Sequence, residues 1–131
     1  MNQESRKIRS FTNLSAWQEG HKLVLSVYKI TAGFPKEEMF GLTTQMRRCV
    51  VSITSNIAEG FSRQSYKEKV QFYSMALGSV TELQNQLLIA KDVRILEKVT
   101  FGTLAKQSTV VHKLLNGLIK KSKSLFIIPN S

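Results

Sequence analysis

The sequence of 131 residues contains little of what stabilises a small secreted protein or anchors a membrane protein. It has one cysteine, Cys49, and two prolines, so no disulfide can form within the chain. No apolar run approaches the roughly 18 residues that a membrane-spanning helix needs. The amino-terminal segment MNQESRKIRS is polar and lacks the apolar stretch of a signal peptide. We therefore expect one soluble, cytoplasmic domain.

Acidic residues are also scarce: 9 Asp and Glu stand against 19 Lys and Arg, which gives a formal net charge of +10. Such a surplus favours polyanionic partners, nucleic acid above all. The alternative is that the charge only keeps the protein soluble.

Motifs for catalysis and cofactor binding are missing from the sequence. His21 and His112 have no acid or thiol at a ligand spacing, and there are no Glu-x-x-His pairs, glycine-rich phosphate loops or nucleophile elbows. Cys49 falls among apolar positions, where a free cysteine behaves as a small hydrophobe. Trp17 is most simply a core anchor, with base stacking as its alternative. We therefore predict a protein that is not an enzyme and binds no metal or cofactor. An enzymatic alternative would need a metal or cofactor that the spacing does not indicate.

Apolar residues recur at three- and four-residue intervals in four long segments, which predicts four helices. The predicted helices span residues 13–33, 36–59, 65–90 and 96–124, with Pro35 between the first two. Gly60 is expected to end the second helix, and Ser65 with Glu68 forms a capping box at the start of the third. Only the short run LFII near the end resembles a strand.

The short links between these segments determine the expected architecture. Because helices joined by a few residues must reverse direction, the prediction is an all-α fold, an antiparallel up-down-up-down four-helix bundle. It forms a single domain over residues 1–131, ordered over about residues 12–125 and flexible at both ends.

The basic surplus is concentrated in the predicted fourth helix, which from Lys98 onward has six lysines and no acid. Lys106, Lys113 and Lys120 recur every seven residues on the side opposite the apolar seam, and Lys121 adjoins them. Positive charges about 10 Å apart along a helix can follow a phosphate backbone. The alternative is a solvated lysine face. A second possible basic patch consists of Arg47, Arg63, Lys67 and Lys69.

One side of the predicted second helix is polar but has few of the long charged side chains of a solvated face. This stripe consists of Gln45, Arg48, Ser52, Asn56 and Glu59. Short polar groups fit best where their hydrogen-bond partners are fixed. We interpret the stripe as a closed structural network, with a ligand-binding site as the alternative.

Small and apolar residues also occur outside the main seams. They are Val51 and Ala58 in the second predicted helix, and Val110, Leu114 and Gly117 in the fourth. Because such positions are poor choices for contact with water, we predict that they form contacts between copies of the chain or with another protein.

The run FPKEEMFGLTTQMRRCVVSITSNIAEGFSR resembles the signature of the four-helix proteins encoded in intervening sequences of bacterial 23S ribosomal RNA genes. The segments LSAWQEGHKLVLSVYKIT, FYSMALGSVTELQNQLLIAK and LLNGLI follow in the expected order, so the resemblance covers residues 14–119. It implies an antiparallel four-helix bundle with a basic surface that assembles as a ring, typically a homopentamer. Related accessory proteins of diversity-generating retroelements bind nucleic acid and a reverse transcriptase.

Two positions depart from the family pattern. Thr54 stands where proline is frequent, so any kink in the second helix is expected to be weaker. Val93 and Arg94 occupy a turn where glycine is common, so the third helix needs another way to end.

The sequence as a whole predicts a non-enzymatic homo-oligomer that binds RNA or DNA through lysine-rich helix surfaces, largely without sequence specificity. The alternative is a protein-interaction adaptor or accessory subunit, for example of a reverse transcriptase, whose positive charge does not serve nucleic-acid binding.

Overall fold

The computed structural model describes residues 8–126, and this part of the chain is built from four long helices. They are α1 (Ser15–Thr31), α2 (Thr44–Ser62), α3 (Tyr66–Asp92) and α4 (Lys98–Phe126). No strand occurs among these residues, so the prediction of an all-α protein is confirmed. The predicted flexible ends lie mostly outside the described residues, as does half of the LFII run. None of the four helices combines the length and the hydropathy required to cross a membrane.

The core lies where side chains of all four helices meet. α1 packs against α2 and α4, and α3 also packs against α2 and α4. The fully buried apolar side chains include Leu23, Val27, Met46, Val50, Ile53, Ile57, Val80, Leu83, Leu87, Val111 and Leu115. Burying each such side chain contributes roughly 1.5–3 kcal/mol, so the core needs no covalent cross-link.

The second helix begins later than its apolar periodicity predicts. Lys36–Glu38 form a 3-10 turn and Met39–Thr43 form a π-helical turn before α2 starts. Gly41 has φ −116° and ψ −114°, which is outside the helical region, and the Glu38 carboxylate accepts the Leu42 N–H at 3.2 Å. The predicted start at residue 36 is wrong because a glycine permits a local break that leaves the apolar spacing intact.

Gly60 does not end α2, which continues to Ser62. Gly60 is buried, and a Cβ at this position would lie 2.6 Å from Cε1 and 2.8 Å from Cδ1 of Tyr73. The absence of a side chain therefore lets α3 approach α2 closely, and the prediction of a C-terminal stop here is wrong.

The ends of α3 follow the expected chemistry at one end and depart from it at the other. The Ser65 hydroxyl accepts the Glu68 N–H at 3.1 Å, so Ser65 caps the helix as predicted. The Glu68 carboxylate accepts from the Ser65 hydroxyl at 3.3 Å and not from the Ser65 N–H, so only half of the predicted capping box forms. At the other end Arg94 takes the left-handed conformation with φ 67°. Its N–H donates to the Lys91 carbonyl, and the Ile95 N–H donates to the Ala90 carbonyl, each at 3.0 Å. An arginine thus occupies the position that glycine favours in this type of helix end.

Candidate nucleic-acid interface

The lysines of α4 lie on the side of the helix that faces away from the core. The buried side of α4 consists of Leu104, Ser108, Val111, Leu115, Ile119 and Ser122. Lys106, Lys113 and Lys120 are exposed on the opposite side, about 10 Å apart along the helix axis. The ion pairs of residues 8–126 join Lys22 to Glu19, Arg63 to Glu59 and Lys91 to Asp92, so none includes an α4 lysine. These three lysines, here named the lysine row, carry positive charge that no ion pair within residues 8–126 offsets.

A groove between α1 and α4 runs beside the lysine row. It has a volume of about 310 Å³ and is lined by Leu14, Ser15, Ala16, Lys113, Leu114, Gly117, Leu118 and Lys121. Leu14, Leu114 and Leu118 pack against the core, so they form an apolar floor. Lys113 and Lys121 are exposed at its rim. This α1–α4 groove therefore combines apolar surface with positive charge.

The second basic patch does not form one surface. Arg63 pairs with Glu59 at 3.3 Å, and its Cζ lies 4.6 Å from the ring centroid of Phe72. The Lys69 ammonium donates to the Phe61 carbonyl at 2.7 Å, and burial lowers its pKa. Both side chains therefore secure the link between α2 and α3, and of the patch only Lys67 is exposed there.

Arg47, the fourth member of that predicted patch, lies elsewhere, in a cleft between α1 and α2. Its Nε donates to the Thr31 hydroxyl at 2.9 Å, and its Cζ lies 4.8 Å from the ring centroid of Tyr28. The cleft has a volume of about 470 Å³ and is lined by Tyr28, Thr44, Arg47, Arg48, Val51, Ser52 and Ser55. In this α1–α2 cleft an aromatic ring, two guanidinium groups and an apolar side chain are adjacent.

The polar stripe of α2 is only partly joined by hydrogen bonds. The Asn56 amide donates to the Ser52 carbonyl at 2.9 Å and to the Ser52 hydroxyl at 3.1 Å, and that hydroxyl is 3.0 Å from the Ser79 hydroxyl of α3. Glu59 pairs instead with Arg63. Gln45 and Arg48 are exposed. The connected set is thus Ser52 and Asn56 with Ser79.

Ser79 and Ser108 are polar contacts that reasoning from the sequence did not assign. Ser108 is fully buried, and its hydroxyl accepts from the Gln84 amide at 3.1 Å, joining α4 to α3. The only sign of such a contact in the sequence was a serine within an apolar seam. A serine there is equally explained as a small residue that allows close packing.

Cys49 and Trp17 occupy structural positions. The Cys49 thiol donates to the Ser79 carbonyl at 3.1 Å, and burial, with a smaller effect of Glu82, raises its pKa to about 12. Trp17 packs against the core and stacks on His21 with ring centroids 4.7 Å apart. Among residues 8–126, no three His, Cys, Asp or Glu side chains converge as a metal site would require.

The predicted contact residues fall into two groups. Val51, which is 38% exposed, and the half-buried Ala58 lie on α2. Val110, Leu114 and Gly117 lie on α4 immediately beside the lysine row. The sequence reasoning missed Phe40, which is 97% exposed, because a continuous helix was expected where the π-helical turn occurs.

Comparisons with known proteins agree with this architecture. The family described as 23S rRNA-intervening sequence protein matches residues 12–117. A crystal structure of a protein of unknown function from the S23 ribosomal protein family of Bacteroides thetaiotaomicron is similar, with a TM-score of 0.75 at 21% identity. The match covers 80% of this chain and 95% of that one, and at this identity it shows the fold alone. No significant match is found among curated proteins.

Proposed function

Since the chain belongs to the 23S rRNA-intervening sequence protein family, we propose that it is a non-catalytic protein that binds RNA or DNA through the lysine row of α4. The observation that carries the proposal is that Lys106, Lys113 and Lys120 are exposed on one side of a helix that contains no acid. A rigid row of cations releases counterions from any phosphate backbone, whatever the base sequence. Binding is therefore largely independent of sequence.

The scaffold for this surface is proposed to be an antiparallel up-down-up-down bundle. Contacts between neighbouring helices support this, because residue numbers rise along one helix as they fall along the next. Thr31 and Gly20 of α1 contact Arg47 and Thr54 of α2 in that order. Between α2 and α3, Ser52 contacts Ser79 and Gly60 contacts Tyr73. Such a bundle presents one whole side of α4 to solvent.

Charge reversal tests the nucleic-acid proposal directly. We expect Lys106→Glu, Lys113→Glu and Lys120→Glu together to abolish the shift in anisotropy of labelled RNA and DNA of unrelated sequences alike. The matched control reverses three exposed lysines outside α4, Lys22, Lys29 and Lys36, for the same change in net charge. If both triple variants lose affinity equally, net charge alone is responsible and the assignment to α4 is wrong.

Copies of the chain are proposed to assemble through the α1–α2 cleft, with Val51 and Ala58 at the contact. Tyr28, Arg47 and Arg48 in the same cleft support this, because tyrosine and arginine are enriched at protein interfaces. The α4 residues Val110, Leu114 and Gly117 are less suited, since a second copy there would bury lysines without partners. The resemblance implies a pentamer.

Light scattering tests the assembly. The wild-type mass should be a multiple of 14.8 kDa, and Val51→Glu should return the monomer. A wild-type monomer at micromolar concentration would contradict the proposal.

The cytoplasmic location stays a prediction from the sequence.

A protein-interaction adaptor is the second candidate function, and exposed apolar side chains near the helix connections favour it. Phe40 is 97% exposed in the connection before α2, and Val93 and Val99, at the connection between α3 and α4, are 59% and 82% exposed. A partner that stays bound after nuclease treatment and is lost in Phe40→Asp would support this function. A partner retained by that variant would count against this surface.

A further inference from the structure

A row of exposed lysines can bind phosphates without any groove beside it, yet here the α1–α4 groove adjoins the row. Charge alone requires only exposed ammonium groups, whereas here an apolar floor of Leu14, Leu114 and Leu118 lies between Lys113 and Lys121. These two lysines are eight residues apart, or about 12 Å along the helix axis. An occupant that fits both features has an apolar face and negative charge on either side of it.

Gly117 opens the middle of this groove. A Cβ placed on Gly117 would meet no heavy atom within 4 Å, and no glycine among the described residues has positive φ. Neither close packing nor backbone conformation therefore requires glycine here, although glycine within a helix costs about 0.5–1 kcal/mol relative to alanine. A larger side chain can therefore be added at this position in the groove lining without a clash at its Cβ.

We propose that the α1–α4 groove binds an unpaired base of single-stranded RNA or DNA, with the flanking phosphates bound by Lys113 and Lys121. This inference rests on the proposed function and narrows its ligand class. The flat face of a base supplies the apolar surface, and its own backbone supplies the negative charge on both sides. A base stacked within a duplex cannot enter the groove, so the groove discriminates between single and double strands.

Charge disfavours a second copy of the chain as the occupant. Each chain carries a formal net charge of +10, and contact through the same face would bring two sets of α4 lysines together. An acidic protein helix is the other occupant with suitable charge, and the experiment separates it from the nucleic acid.

The experiment compares Gly117→Leu with Gly102→Leu. Gly102 is also in α4 and also has no neighbour within 4 Å, but it lies outside the groove, so both variants add the same side chain to the same helix. Binding of a labelled single-stranded oligonucleotide, of a duplex of the same sequence and of an acidic helical peptide is measured by anisotropy at fixed salt. Thermal melts followed by circular dichroism establish that both variants are folded.

We expect Gly117→Leu to weaken single-strand binding about tenfold, near the lower end of what a base stacked on an aromatic ring contributes because the groove floor is aliphatic, and to leave duplex binding unchanged. Gly102→Leu should change neither. Unchanged single-strand affinity in Gly117→Leu, or equal losses for both ligands, would overturn the inference while leaving the lysine-row proposal intact. If Gly117→Leu loses binding to the acidic helical peptide but not to either oligonucleotide, the groove binds a protein helix, which would also overturn the inference. If the lysine-row proposal is wrong, the charge-reversal variant of Lys106, Lys113 and Lys120 will bind nucleic acid as tightly as the wild type, which is a different result.

Discussion

Replacement of Gly60 by alanine tests whether α2 and α3 approach each other as closely as the structure shows. The added Cβ would lie 2.6 Å and 2.8 Å from ring carbons of Tyr73 and 3.1 Å from Cβ of Phe72. Tyr73 is 2% exposed, so its ring is enclosed by the protein and cannot turn out into solvent. Overpacking of this kind typically costs 1–3 kcal/mol, against a gain of about 0.5–1 kcal/mol from replacing glycine within a helix.

We therefore expect Gly60→Ala to lower the free energy of unfolding by about 1–2 kcal/mol, measured by urea denaturation followed by circular dichroism. Gly78→Ala is the matched control, since a Cβ there meets no heavy atom within 4 Å. The control should be stabilised by about 0.5–1 kcal/mol. A Gly60→Ala variant as stable as the wild type would refute the close packing of α2 on α3.

Two further predictions concern local strain and pH. Arg94→Gly should raise the free energy of unfolding by about 1 kcal/mol in the same assay, because arginine at φ 67° is strained where glycine is not; an unchanged or lower stability would contradict the left-handed helix end. The Cys49 thiol, with its pKa raised from 9.0 to about 12, stays protonated in the folded chain while the unfolded chain ionises. Because of this one group, the free energy of unfolding should fall by up to about 1.4 kcal/mol per pH unit between pH 9 and 12. Cys49→Ala should have a shallower alkaline slope than the wild type, and identical slopes would contradict the burial of the thiol.

Periodicity was sufficient for the number of helices and, in α4, for the side that faces the core. The spacing of Leu104, Val111 and Leu115 repeats on one side of α4, and the structure buries that side. The cap at Ser65 was equally predictable, because both partners are three residues apart in the sequence.

Contacts between helices were not predictable in this way. Lys69 is basic in the sequence, but only the folded link between α2 and α3 places the Phe61 carbonyl 2.7 Å from its ammonium. Gly60 similarly has two possible roles in the sequence, to end α2 or to let α3 pack closely against it, and only the position of Tyr73 decides between them. The ion pair between Glu59 and Arg63, which caps the end of α2, was also not predicted, although residues four apart on a helix surface are close enough to pair.

The salt dependence of nucleic-acid affinity tests the central claim most directly. For single strands each neutralised phosphate contributes about 0.7 to the slope of log affinity against log salt, so the three lysines of the row account for about 2. The variant with Lys106→Gln, Lys113→Gln and Lys120→Gln should therefore bind more weakly and have a slope smaller by about 2 than the wild type. Equal slopes for the two proteins would contradict the account, since they would show that the α4 lysines do not contact phosphates.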